Sequence, residues 1–166
     1  MLTPRVIASY GTSGTPCDPR RLTVGEDSEG GPGAGGGHSS VEFVIANTGH
    51  ATCSMFGYPT ISFVDAHGHP LAFHYQHNDG FFVTHSPPRS VLIPAGASAY
   101  AAAEKYRCDL GEKSLGRTTQ VRLPGNPHVY RVGISRTPGY CGPNDPGDIV
   151  IVTPIEPTQR ALAQVY

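Results

Sequence analysis

The stretch that decides the fold reads Asn47-Thr48-Gly49-His50-Ala51-Thr52-Cys53-Ser54-Met55-Phe56-Gly57-Tyr58-Pro59. It lies between two apolar, β-branched segments, residues 41–46 and 61–64. Asn-Thr-Gly and Gly-Tyr-Pro favour turns, because glycine accepts left-handed backbone and asparagine and proline initiate turns. The stretch therefore predicts two strands joined at a corner, and Cys53 within it predicts that a disulfide holds that corner.

The composition favours one β-rich domain. The chain has 166 residues, enough for one domain with a hydrophobic core, and contains 21 glycines and 16 prolines. Glycine and proline punctuate strands but interrupt helices. The formal net charge is only −1, which argues against a nucleic acid or an anionic membrane surface as partner.

Other segments also have the pattern of strands. Residues 119–123 alternate apolar and polar, and residues 148–153 form a continuous apolar run typical of a central strand. Residues 98–107 are ambiguous, since alanines favour a helix, but a strand fits slightly better with the tyrosines and the preceding turn. Shorter candidate strands occupy residues 21–24, 71–77 (returning from 61–64 as a hairpin), 81–84, 91–93 and 130–135.

These segments predict an all-β fold, an antiparallel β-sandwich of about seven to nine strands. We expect residues 17–157 to form this single domain. Residues 1–16 lack periodicity and are expected to be a flexible N-terminal arm, with residues 158–166 as a C-terminal tail.

Four cysteines are widely spaced: Cys17, Cys53, Cys108 and Cys141. Zinc and thioredoxin-like sites usually need closely spaced pairs, so disulfides are the better interpretation, with reduced cytosolic thiols as the alternative. Three pairings are possible. We favour Cys17–Cys53 with Cys108–Cys141, because each bridge then joins neighbouring parts of the chain.

The disulfides predict an oxidising compartment, and hence a secreted or envelope location. The N-terminus lacks the layout of a signal peptide, so we expect a mature fragment whose leader was removed. No apolar run reaches the length of a membrane-spanning helix.

Residues 30–37 are glycine-rich but lack the lysine and the following helix of a phosphate-binding loop, which predicts a flexible surface loop.

Several features occur in a characteristic order. They are Cys17 before a short strand, the Gly/Ala-rich residues 33–37, Asn47-Thr48-Gly49, Thr52-Cys53, Gly57-Tyr58-Pro59, Asp65 with Gly68, Pro94-Ala95-Gly96 with Ala99, Cys108, and a late cysteine before the last strand. This order resembles a family of secreted or lipid-anchored actinobacterial domains known as a domain of unknown function. The resemblance covers nearly all of residues 17–157. It implies an immunoglobulin-like sandwich, two disulfides and an envelope or extracellular location, and it implies no catalytic residue.

Histidines cluster between residues 67 and 85. They are His67, His69, His74, His77 and His85. His67 and His69 flank a turn glycine and can converge on one metal ion, and imidazole suits zinc, copper or nickel. An extracytoplasmic metal-binding protein is therefore one alternative, although exposed histidines without a ligand are the favoured interpretation. No cofactor is predicted.

Aromatic residues share this segment. Tyr75, Phe81 and Phe82, together with the five histidines, form our candidate binding surface for a protein or glycan partner. Strand alternation would send about half of the aromatic side chains into the core instead. A hydrolase is a second alternative, but no Gly-x-Ser-x-Gly frame occurs. The sequence thus predicts a secreted or envelope-associated, non-catalytic binding domain.

Overall fold

The computed structural model describes residues 6–12, 14–27 and 35–164. Within them are three short 3₁₀ helices, Pro19–Arg21, Pro146–Asp148 and Arg160–Leu162. The strands are β1 Ser9–Tyr10, β2 Leu22–Glu26, β3 His38–Asn47, β4 Cys53–Met55, β5 Thr60–Val64, β6 His74–Gln76, β7 Val91–Ile93, β8 Ser98–Tyr106, β9 Ser114–Leu115, β10 Thr118–Arg122, β11 Tyr130–Gly133, β12 Gly139–Tyr140 and β13 Ile149–Val152. Seven of these strands have four or more residues, so the prediction of an all-β fold is confirmed.

The larger sheet has the strand order β2-β3-β8-β13-β6. Its central pair, β3 and β8, shows why residues 98–107 form a strand despite their alanines. On the face toward the core, each large side chain of β3 lies opposite an alanine of β8: Val41 opposite Ala103, Phe43 opposite Ala101 and Ile45 opposite Ala99. Matching large with small residues lets the opposing layer pack closely on this sheet.

The opposing layer consists of two three-stranded sheets, β11-β10-β5 and β1-β7-β4. Alternate residues of these strands face the larger sheet and are almost fully buried, among them Ile61, Phe63, Val91, Ile93 and Val121. Burial of apolar side chains between two layers is the main force that stabilises such a sandwich. The remaining pair, β9 and β12, forms a small separate ribbon.

Both predicted disulfides are confirmed. Cys17 bonds to Cys53 with Cα atoms 4.7 Å apart, and Cys108 bonds to Cys141 with Cα atoms 5.2 Å apart. The first bridge attaches the segment before β2 to β4, next to the corner that the sequence indicated.

Asn47 explains the turn at that corner. It is 2% exposed, and its side-chain nitrogen donates to the main-chain oxygens of Ala51, at 2.9 Å, and Ile93, at 2.8 Å. Its side-chain oxygen accepts from the N–H of Gly49 at 2.9 Å. One buried amide thus satisfies two main-chain groups of the turn, at Gly49 and Ala51, and one of strand β7, at Ile93.

Residues 71–77 depart from the predicted hairpin. The chain turns back as expected, with a bridge from Val64 to Pro70 and a bond from the Leu71 N–H to the Phe63 oxygen. It then leaves β5, and the hydroxyl of Tyr75 accepts the Phe63 N–H at 2.8 Å, where a returning strand would have offered a carbonyl. The segment instead supplies β6, which pairs in parallel with β13.

Residues 81–84 also differ from the predicted strand, since their β pairing is a single bridge from Val83 to Ala163. They cover the outer face of the larger sheet. There Val83 packs with Ala102, Ile151 and Leu162 in a second, smaller core.

The predicted domain limits, residues 17 and 157, have packed residues on both sides. Ser9–Tyr10 pairs with β7, and Leu162 is completely buried. The limits themselves stay predictions. Residues 1–5, 28–34 and 165–166, which include much of the predicted arm and glycine-rich loop and the end of the tail, lie outside the described residues.

Candidate functional site

His67 and His69 lie in an exposed turn organised by Asp65. One oxygen of this carboxylate accepts the main-chain N–H groups of His67, at 2.8 Å, and His69, at 2.9 Å. The His69 N–H bond is the largest cause that lowers the pKa of Asp65. The two imidazole centroids are 6.2 Å apart, and Nδ1 of His69 is 3.7 Å from Asp65 Oδ2.

The other three histidines are held separately. His77 stacks on Tyr58 with ring centroids 3.6 Å apart, and burial lowers its pKa. The His85 ring contacts the main-chain oxygen of Gly80, and His74 lies exposed on β6. In the described parts of the chain, no three His, Cys, Asp or Glu residues are placed to hold one metal ion. The metal-binding and hydrolase alternatives stay hypotheses.

Tyr75 belongs to the core rather than to an exposed patch. Its ring lies near Phe63 and Phe73, with centroids 6.3 and 6.4 Å away. Burial raises the pKa of its hydroxyl. Phe81 and Phe82, by contrast, remain on the surface of the fold, with Phe81 49% exposed and Phe82 half-buried.

The carboxylate of Glu104 positions these two phenylalanines. Glu104 lies on the outer face of β8 and is 2% exposed. It accepts the main-chain N–H groups of Phe81, at 2.7 Å, of Phe82 through a short bond, and of Val83 at 3.3 Å. Three N–H donors on one carboxylate compensate its burial and fix the backbone of residues 81–83.

His38, at the start of β3, completes the arrangement. Its ring stacks on Phe81 with centroids 4.8 Å apart and planes 12° apart, and it lies 4.9 Å from the Tyr106 ring and 6.1 Å from the Phe82 ring. Nδ1 of His38 is 3.6 Å from Glu104 Oε2. We call His38, Phe81, Phe82 and Tyr106 the His38 cluster.

A cavity of about 220 Å³ adjoins this cluster. Ile149, Ile151 and Tyr106 give it apolar walls, and its polar side chains are His38, Gln76, Asp79, Glu104 and Lys105. Asp79 has a left-handed backbone, with φ of 62°, which directs the chain from β6 into the segment that carries Phe81. Aromatic rings beside a partly apolar cavity with several convergent polar groups are compatible with a small-molecule or glycan site.

The sequence indicated Phe81 and Phe82 but not their partners. His38 follows the glycine-rich segment and has no motif of its own. The sequence contained a weak indication for Glu104, because a charged residue inside an apolar strand is buried only when it has hydrogen-bond or ionic partners. Those partners come from residues 81–83, and only the folded chain brings them together.

Glu42 is a second buried carboxylate on the same sheet face. It is 1% exposed, and within the described part of the chain neither oxygen has a hydrogen-bond partner. Burial and then the neighbouring charge of Asp27 raise its pKa to about 7, and the nearby Gln159 amide offsets part of this. The Gln159 amide donates to Asp27.

Fold and site together define a disulfide-bridged, all-β domain with an aromatic surface cluster. A family model described as "Domain of unknown function (DUF4232)" matches residues 17–159, and the chain belongs to this family. Comparisons with curated proteins and with solved structures found no significant match. No helix in the described ranges is long and apolar enough to cross a membrane.

Proposed function

We propose that the protein is a non-catalytic glycan-binding domain of the actinobacterial cell envelope or exterior, and that the His38 cluster is its contact surface. Two disulfides support an oxidising compartment. The observation that carries the binding role is the exposed Phe81 ring. It stacks on His38 beside the 220 Å³ cavity and is held by a buried carboxylate.

The geometry suits a sugar ring. Sugars present apolar C–H faces that pack on aromatic rings, and their hydroxyls need a few oriented hydrogen-bond partners. The Phe81 ring is 49% exposed and stacks on His38, which lines the cavity, and Gln76 and Asp79 offer an amide and a carboxylate there. Because Glu104 fixes the main chain of Phe81, little conformational entropy is lost when a ligand binds.

A glycan array followed by NMR titration of the labelled protein tests this proposal. We expect chemical-shift changes to centre on His38, Gln76 and Phe81, and the Phe81→Ala variant to bind at least tenfold more weakly without losing stability. Phe56→Ala is the matched control, because Phe56 is 61% exposed and lies outside the His38 cluster. Equal binding by the Phe81→Ala variant would contradict the proposal, as would a ligand that binds elsewhere. If a protein instead of a glycan binds at these same residues, the His38 cluster is still the contact surface, but the ligand is a protein and not a glycan.

A further inference from the structure

The environment of Lys105 bears on the second disulfide. The chain has only two lysines, Lys105 and Lys113. Lys105 lies on β8 and is 9% exposed. Its ammonium nitrogen donates to the main-chain oxygen of Tyr106 at 2.6 Å, and its other close contact is Sγ of Cys141 at 3.9 Å.

This ammonium is not neutralised by a close carboxylate. Among the described residues, no acid lies within ion-pair distance of the Lys105 nitrogen. Burial lowers the pKa of Lys105, while Glu112, Asp148 and Asp145 act on it from a greater distance and favour the charged form. The Asp148 carboxylate makes a different contact, since it accepts the Cys141 N–H at 2.7 Å. A buried cation is stabilised best by a neighbouring anion, and the Lys105 ammonium has a disulfide sulfur at that position instead.

We propose that Cys108–Cys141 is a reactive disulfide that exchanges with dithiols, with Lys105 stabilising Cys141 as the leaving thiolate. The proposal is independent of glycan binding. An adjacent ammonium lowers the pKa of a thiol, and thiols of lower pKa leave faster in thiol–disulfide exchange.

The two sulfurs have different accessibility, which assigns the direction of attack. Cys108 is half-buried, whereas Cys141 is 3% exposed. A thiolate of an external dithiol attacks Cys108 Sγ, the Cys108–Cys141 bond breaks, and its electron pair leaves on Cys141 beside Lys105. The second thiol of the dithiol then attacks the mixed disulfide and releases Cys108. The protein gains two electrons, the dithiol becomes a cyclic disulfide, one of its protons passes to Cys108 and the other to solvent.

An open cavity of about 330 Å³ lies beside this bridge. Cys141, Asp109 and Leu110 are among its lining residues, and Leu110 is 91% exposed. Cys141 lines this cavity and Cys108 does not, but the lining residues Asp109 and Leu110 directly follow Cys108, so a reductant in the cavity lies next to the loop that carries the attacked sulfur.

The test compares the two disulfides within one molecule. The native protein is treated with dithiothreitol at pH 7, free thiols are alkylated at timed intervals, and peptide mapping gives a reduction rate for each bridge. We expect the Lys105→Met variant, which keeps the aliphatic stem, to reduce Cys108–Cys141 about three- to tenfold more slowly. The rate at Cys17–Cys53 should be unchanged.

Two further variants identify the charge as the cause. Lys105→Arg keeps the cation and should react within about twofold of the wild-type rate. Lys113→Met removes an exposed lysine at the same cavity and should also have little effect, because solvent screens its charge. An unchanged or faster rate at Cys108–Cys141 in the Lys105→Met variant would overturn the proposal, as would equal slowing at both bridges.

Discussion

The side-chain amide of Asn47 donates to the main-chain oxygen of Ile93 at 2.8 Å, and so ties the corner after β3 to the end of β7. The same amide also serves Ala51 and Gly49. Within the corner, the Gly49 N–H and the Ala51 oxygen are thus bonded by a side chain, while strand pairing holds its two ends at Asn47 and Cys53.

We expect the Asn47→Ala variant to lose about 2–3 kcal/mol of unfolding free energy. The buried Ile93 oxygen would lose this donor, at about 1–3 kcal/mol for a group that water cannot reach, and the part-buried bonds to Gly49 and Ala51 would be lost with it. Urea unfolding measures the loss. Asn126→Ala is the control, because the Asn126 amide accepts the exposed His128 N–H at 2.8 Å and donates to the half-buried Tyr130 hydroxyl at 3.4 Å, groups that water can reach after the substitution. A loss below 0.5 kcal/mol in the Asn47→Ala variant would show that water replaces this amide.

Glu42 should make stability depend on pH. Its folded-state pKa is about 7, against 4.5 for an ordinary glutamate. Between these values the folded protein keeps a proton that the unfolded chain has released, so unfolding free energy falls as pH rises and levels off above pH 7. The contribution of Glu42 is therefore fully present below pH 4.5 and is lost through pH 7.

The Glu42→Gln variant should lose this dependence and gain about 1–3 kcal/mol over the wild type at pH 8. Urea unfolding at pH 5, 6, 7 and 8 measures both effects. A residual slope is expected from Glu156, whose pKa is raised mainly by burial. Glu112→Gln, at an exposed position, should follow the wild type. Parallel curves for the wild type and the Glu42→Gln variant would show that Glu42 stays ionised.

Glu104 should control the mobility of residues 81–83. In a Glu104→Gln variant, one oxygen becomes an NH₂ group that faces main-chain donors. We therefore expect hydrogen exchange of the Phe81 and Phe82 amides to speed up at least tenfold. Glu26→Gln is the matched control, since Glu26 accepts the Ser135 N–H at 2.8 Å on another part of the surface. Unchanged protection at residues 81–83 would mean that packing, and not the carboxylate, holds them.

Removal of the first disulfide should lower stability strongly. Its cysteines are 36 positions apart, and a loop of that size corresponds to about 4 kcal/mol in the chain-entropy model. The Cys17→Ser/Cys53→Ser variant should therefore unfold at clearly lower urea concentration than the wild type. A loss under 1 kcal/mol would indicate that the unfolded chain already keeps this region compact.

The sequence correctly predicted those parts of the fold that depend on local sequence patterns. Strand periodicity identified β3, β10 and β13, and cysteine spacing favoured the pairing found. It did not reveal where residues 71–85 go, because that segment is positioned by strand pairing and by side-chain hydrogen bonds with residues distant in sequence. Tyr75 replaces a ladder carbonyl, and Glu104 accepts three main-chain donors. His74, His77 and His85 therefore occupy separate surroundings, although they are close in sequence to the turn that holds His67 and His69.

The parallel pairing of β6 with β13 has a consequence for folding kinetics. His74 lies opposite Ile149, and β13 also fills the place between β6 and β8. The larger sheet is thus completed between β8 and β6 by the last of the described strands, through contacts of large sequence separation. Such contacts require the closure of long loops, and the entropy cost of that closure comes before the contacts stabilise the chain. We therefore expect the domain to fold slowly, in roughly milliseconds to seconds. A chain in which β13 has not docked leaves the edge of β8 open, and an open strand edge favours strand-mediated aggregation.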